Sequence, residues 1–263
     1  MKPDDLIAGM LAGDQHHGGI RCLRLFGVAN PFFAGLRTDV ERYRKANKPS
    51  EIGATNHVTH WTNPHGNAEQ FSLLNRTGRS GDFSTDHDLS CRNKWFFDCH
   101  QYPALSRLIC DWPHLINFRI NVLHPGASLN AHEEHVPFRT STGTIGARLR
   151  FHLPLLTNDD AELILDGQVY RLPAGEVQLI NQGCVHSASN CGKYPRVHLV
   201  WDALLTKRLF RLVSSICPAP DYLIALGAVA SEAVATRSVG PYRRLAPAVS
   251  RAEAATMDLC SPQ

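Results

Sequence analysis

The chain of 263 residues is long enough for one large domain or two small ones around a sizeable buried core. Hydrophobic residues make up 43% and charged residues 19%, a globular composition that excludes extensive disorder. A formal charge of +3 is too small to imply nucleic acid or an anionic membrane as a partner. The eight cysteines form no CxxC pair and are expected as reduced thiols of a cytoplasmic protein. The opening MKPDDLIAGMLAGDQHH puts acidic residues ahead of a short apolar patch, the reverse of a secretory signal. The apolar run Leu223–Ala230 is too short to span a bilayer.

Residues 1–111 read as a helix and loop extension. TDVERYRKAN (Thr38–Asn47) predicts a short polar helix opened by a Thr or Asp cap. The stretch from Asn56 to Asp88 is rich in His, Thr, Asn, Gly and Asp and predicts loops. Within it, Gln70–Asp88 is expected either as a surface loop or as one folded over a cavity. YPALSRLICDW (Tyr102–Trp112) has apolar residues at helical spacing.

From Leu115 the period changes to two. In INFRINVL, Ile116, Phe118, Ile120 and Val122 alternate with Asn117, Arg119 and Asn121, the mark of a half-buried strand. RLRFHLPL repeats the pattern, with Leu149, Phe151, Leu153 and Leu155 opposite Arg148, Arg150 and His152. AELILDGQVYRL predicts a hairpin turning at Asp166-Gly167. EVQLIN, CVHSAS and RVHLVW follow as further short strands. Such spacing predicts a sandwich, barrel or jelly roll. After Asp202, Leu205, Leu209, Leu212, Val213 and Ile216 fall on one helical face. A second, Ala-rich helix is expected to about Ala235, then an irregular tail. The fold class is mainly β: a core at 112–203, with the extension before it and C-terminal helices and tail at 204–263, in one compact domain.

Three polar features interrupt the strands. His132-Glu133-Glu134 follows a Pro-Gly turn. A charged surface loop would explain it. In an extended chain, however, His132 and Glu134 project to one side and can bind one metal. Two histidines and a carboxylate on one octahedral face characterise non-haem Fe(II) oxygenases. The second histidine would be His186, on a separate predicted strand, which only a closed barrel brings to His132. The third feature is the set of cations Arg148, Arg150, His152 and Arg196. Buried cations need anions, and a dicarboxylate cosubstrate would supply one.

HPGASLNAH, RLRFHLPL, GEV, VHSASN and PRVHLVWD, in that order, resemble the aspartyl/asparaginyl β-hydroxylase family of Fe(II)- and 2-oxoglutarate-dependent oxygenases. That family has a double-stranded β-helix, or cupin-like jelly roll. The resemblance covers residues 117–202 and finds no counterpart for the first 110. It implies that His132 and His186 bind Fe(II), with Glu134 as third ligand and Glu133 and His135 as alternatives. It implies that Arg196 grips the distal carboxylate of 2-oxoglutarate beside Asn121. His152 and Arg150 would contact the other end of the cosubstrate or the substrate carboxylate, and Arg148 the substrate. No catalytic residue beyond the ligands is implied.

Two departures stand out. Animal members have Gly at the place of Glu134, whereas some bacterial relatives acting on free amino acids such as proline keep an acid there. The segment from Glu133 to Ala147 is longer than in the animal enzymes and is expected as a loop over the site mouth. The expected function is hydroxylation by O₂ of an unactivated C–H in an amino acid, or in an Asp or Asn residue of a peptide. Competing readings are a cupin metalloenzyme of other chemistry and a non-catalytic sensor of small carboxylates.

Overall fold

The computed structural model describes residues 21–49, 68–79, 94–132, 134, 137–139, 145–204 and 206–216. They form thirteen strands and three helices. Seven strands make the larger antiparallel sheet: β1 (Cys22–Gly27), β2 (Ala68–Ser72), β5 (Leu115–Leu123), β7 (Pro137–Arg139), β8 (Ile145–Leu156), β11 (Glu176–Ile180) and β13 (Arg196–Leu204). Their order is β1-β11-β8-β13-β5-β2, with β7 on β8. The smaller sheet is β10-β9-β12-β6, formed by β6 (Ala127–His132), β9 (Ala161–Leu165), β10 (Gln168–Tyr170) and β12 (His186–Asn190). A two-stranded ribbon pairs β3 (Leu74–Asn75) with β4 (Lys94–Trp95). The fold is mainly β, a double-stranded β-helix with helices flanking it.

The period-two strands were expected to be half-buried, yet β5 and β13 are buried on both faces. One face of the larger sheet carries Phe118, Ile120, Phe151, Leu153, Leu199 and Trp201, and helices cover it. Those helices are α1 (Asn30–Ala46), α2 (Pro103–Asp111) and α3 (Lys207–Ile216). They contribute Leu36, Val40 and Tyr43, then Leu105, Leu108 and Ile109, then Leu209 and Val213. At the centre, Phe118 and Phe151 stack on Trp201 at 5.2 and 5.7 Å between ring centroids. The opposite face is polar: Asn117, Arg119, Arg150, His152, Gln178, Arg196, His198 and Asp202 are all buried. The alternation therefore separates an apolar core from a polar interior, not a core from solvent.

The N-terminal stretch differs most from its reading as helix and loop, since β1 and β2 pair onto β11 and β5 of the larger sheet. The loop expected over Asn56–Asp88 contains β2 and β3, with residues 76–79 irregular after them, and 56–67 and 80–88 lie outside the described residues. Helix α1 begins eight residues before the expected cap, with Pro31 in its first turn. Thr38 is instead inside the helix, its Oγ1 donating to the Ala34 carbonyl at 3.1 Å. Asp39 is a cap, but of the neighbouring helix: its Oδ2 accepts from the backbone N–H groups of Ala104 and Leu105 at 2.8 and 3.1 Å.

The hairpin forms as expected, with Asp166 and Gly167 at φ of 47° and 76°. Helix α3 is capped by Thr206, whose Oγ1 accepts from Leu209 N–H at 3.2 Å. The second C-terminal helix and the tail fall outside the described residues. Part of the loop expected at 133–147 is strand, β7 pairing with the start of β8. Cys22, Cys99, Cys110 and Cys184 are in the thiol form, while Cys191 is disulfide-bonded, against the all-thiol expectation. No helix among the described residues is long and apolar enough to cross a membrane.

Candidate metal centre

Strands β12 and β6 bridge the separation between His186 and His132 by placing them directly opposite each other across the smaller sheet. The two rings sit 4.2 Å apart between centroids. Just past β6, Glu134 extends the chain, its N–H donating to the Gln182 carbonyl at 3.0 Å. Its Oε1 lies 3.8 Å from His132 Nε2. One ligand atom from each of His132, Glu134 and His186 falls within 4.8 Å of the others. Glu133 and His135, the alternative third ligands, are outside the described residues.

The donor set suits a divalent metal. His132 Nδ1 is 2.7 Å from the Asn130 carbonyl oxygen, and His186 Nδ1 is 2.9 Å from that of Cys184. A carbonyl only accepts, so each neutral ring keeps its proton on Nδ1 and presents the Nε2 lone pair. Burial, and then the neighbouring His132, push the His186 pKa down to about 4, which keeps the ring neutral at physiological pH.

These residues open onto a cavity of about 310 Å³ lying between the sheets. That volume is at the lower end of the range for small-molecule sites, about 300–1,000 Å³. Arg196, Asn121, His152 and Arg150 line it, as do His132, Glu134 and His186. Arg148 is not among the lining residues and bonds Glu134 instead, Nη2 to Oε2 at 2.7 Å.

The cations within this interior are treated differently by their surroundings. Arg196 is buried, and burial alone lowers its pKa to about 10. No carboxylate pairs with it among the described residues, so it is suited to an anionic ligand. Beside it on the same face of β13 is His198, opposite Asn121 of β5. Both His198 ring nitrogens and Asn121 Oδ1 are buried without a hydrogen-bond partner. Burial, followed by the Arg196 charge, keeps His152 and His198 well below the usual histidine range.

Arg150, by contrast, is saturated by acid. Its Nε and Nη2 donate to Asp202 at 2.8 and 2.9 Å, and its Nη1 and Nη2 to Glu134 at 2.5 and 2.8 Å. Asp202 is fully buried and also accepts from Asn117 Nδ2 at 2.8 Å. Burial raises the pKa of Glu134 and Asp202, but the guanidinium of Arg150, and then that of Arg148, outweigh it and hold both carboxylates well below their ordinary range.

Sequence reasoning missed Asp202, His198, Asn117, Arg119 and Gln70 as parts of this interior. The signal was present for Asp202, since period two from Arg196 runs through His198 and Val200 to it. It was unused because the anion expected for the buried cations was a cosubstrate and not a carboxylate of the chain itself.

A family model described as aspartyl/asparaginyl β-hydroxylase matches residues 36–205, so the match begins well before residues 117–202, which carry the sequence motifs. No curated protein sequence matches the chain. Solved structures similar to it include a prolyl hydroxylase from Trichoplax adhaerens in complex with a hypoxia inducible factor peptide fragment, at 8% identity and a TM-score of 0.46. That likeness covers 80% of this chain and 93% of the other. HygX from Streptomyces hygroscopicus, with nickel, 2-oxoglutarate and hygromycin B bound, has 9% identity and a TM-score of 0.42, covering 69% of this chain and 82% of its own. The viral collagen prolyl hydroxylase of Paramecium Bursaria Chlorella virus-1, as a 2OG complex, has 8% identity and a TM-score of 0.38, covering 72% and 98%.

Proposed function

The chain belongs to the aspartyl/asparaginyl β-hydroxylase family, and from that premise we propose that it is an Fe(II)- and 2-oxoglutarate-dependent oxygenase. Its substrate is an amino acid, or an Asp or Asn residue within a peptide, hydroxylated at an unactivated carbon, the β-carbon by the family's pattern. Succinate and carbon dioxide are the coproducts. The observation that carries this reading is the convergence of His132, Glu134 and His186, both histidines fixed with Nε2 free, on the wall of a cavity that also holds Arg196, which no carboxylate pairs among the described residues.

His132, Glu134 and His186 would hold the iron. Bound there with 2-oxoglutarate and O₂, the metal supplies the oxidising power that the side chains of the protein lack. Arg196 seats the distal carboxylate of the cosubstrate, its planar fork matching both oxygens. Asn121 lines the same cavity and offers an amide donor to that seat. His152, neutral and lining the cavity with Arg150 and Arg196, adds a hydrogen-bonding edge without adding charge. Leu129, Leu163, Ile180 and Val200 give the cavity an apolar lining that excludes water from the reacting carbon.

The test is to incubate iron-loaded protein, prepared anaerobically, with 2-oxoglutarate, O₂ and panels of amino acids and Asp- or Asn-containing peptides. Succinate formed in step with the gain of one oxygen atom from labelled O₂ supports the reading. Binding of 2-oxoglutarate with no succinate for any substrate would favour the carboxylate sensor.

A further inference from the structure

Arg148, Arg150, Glu134 and Asp202 form a cluster whose formal charges sum to zero, and their hydrogen bonds distribute unevenly over the Glu134 carboxylate. Oε2 accepts from Arg148 Nη2 at 2.7 Å and from Arg150 Nη2 at 2.8 Å. Oε1 accepts, among the described residues, from Arg150 Nη1 alone, at 2.5 Å. An ionised carboxylate offers about four acceptor directions, so three are taken and one remains, on Oε1. Oε1 is also the oxygen 3.8 Å from His132 Nε2. Arg150 cannot swing away, since Asp202 holds its other edge at two points and Asn117 holds Asp202.

We infer that Arg148, Arg150 and Asp202 are positioning residues that leave Glu134 one open acceptor direction, on Oε1, so that it binds the metal through Oε1 only. The inference rests on the iron site proposed above. It has two consequences. One-oxygen binding keeps coordination positions open for a chelating cosubstrate, which a two-oxygen carboxylate would crowd. The two arginines are also already committed to carboxylates of the protein itself, so neither Arg148 nor Arg150 serves as the seat for an acid group of substrate or cosubstrate. That role falls to Arg196. A substrate recognised here is selected by something other than an acidic side chain docked on the R-x-R strand.

The experiment uses the full chain loaded with Zn(II), which binds without turnover. Carboxylate infrared bands are recorded as a metal-loaded minus metal-free difference with ¹³C-labelled Glu, with Glu134→Ala as the blank. Wild-type protein should show the wide band splitting of a one-oxygen carboxylate. Arg148→Met, which removes one of the two donors to Glu134 Oε2 and leaves Arg150 on Glu134, should shift to the narrow two-oxygen splitting. Its affinity for 2-oxoglutarate, measured by calorimetry, should fall about tenfold, the scale typical of groups that orient metal ligands. Arg148→Lys keeps a cationic donor and should restore both readouts. Near-UV circular dichroism checks that each variant is folded.

Unchanged splitting and unchanged 2-oxoglutarate affinity in Arg148→Met, with only the substrate KM raised, would overturn the clamp and make Arg148 a substrate residue. Full zinc affinity in Glu134→Ala would overturn it too, leaving the two-histidine iron site standing. A wild-type protein that binds no metal would remove the iron reading itself.

Discussion

Asp202→Asn removes one charge from the buried quartet and leaves it at a net +1, with the side-chain volume nearly unchanged. Breaking a buried ion pair from one side costs about 3–5 kcal/mol, because the remaining charge is stranded away from water. Arg150 keeps its two bonds to Glu134, at 2.5 and 2.8 Å, so the lower end of about 3 kcal/mol applies. The introduced amide also has to turn its N–H₂ towards either Arg150 or Asn117 Nδ2, both of which donate to the present carboxylate. For a chain of this size about 3 kcal/mol corresponds to a fall in Tm of about 6–12 °C. Urea unfolding of metal-free protein, followed by far-UV and near-UV circular dichroism, measures the loss without a contribution from metal binding. A loss below about 1 kcal/mol would show that Asp202 is screened by solvent and would refute the buried-quartet argument.

Arg196→Lys keeps the charge but loses the planar fork, so calorimetry should show 2-oxoglutarate affinity falling at least about tenfold with metal affinity unchanged; unchanged cosubstrate affinity would make Arg196 a structural cation. His152 and His198 are held neutral in the fold, their pKa values well below the ordinary histidine value of about 6.5. The unfolded chain therefore takes up protons that the native state refuses, so stability is full above about pH 6.5 and declines below it. The Glu134 and Asp202 carboxylates, depressed in the fold, add a second loss as pH drops past the ordinary carboxylate range. Urea midpoints of metal-free protein at pH 7.5 and 5.5 check the histidine part, and equal midpoints would contradict it. Phe118→Ala opens a cavity against Trp201, on which Phe118 stacks with ring planes 3° apart, and should cost about 3–5 kcal/mol in the same assay.

The β core was legible because each strand repeats a period of two and the breaks fall at turns such as Asp166-Gly167. What period two could not say is what lay on the second face. Arg150 and His152 were expected as interior cations in want of an anion, but that Asp202 of the neighbouring strand supplies it depends on the β13–β8 register. The metal centre followed the same logic. His132 and Glu134 are local and readable, whereas their meeting with His186 depends on the β12–β6 register, a long-range pairing. The edge strands β1 and β2 escaped for a different reason. AEQFS (Ala68–Ser72) is short and polar, and its pairing with β5 comes from the neighbouring strand and not from its own propensity. Asp39 shows the limit of cap signals: the residue caps a helix, but one that begins at Pro103, far along the chain. The carboxylate clamp on Glu134 was invisible for a like reason, since Arg148, Arg150 and Asp202 were read one strand at a time.

The central claim, that His132, Glu134 and His186 hold iron beside a cosubstrate seated on Arg196, is tested most directly by anaerobic visible absorption. Adding 2-oxoglutarate to protein loaded with one Fe(II) should produce a charge-transfer band that saturates at one equivalent. The band should be absent in His186→Ala at the same iron and cosubstrate concentrations. No band in the wild type, or a band of wild-type intensity in His186→Ala, would contradict the account.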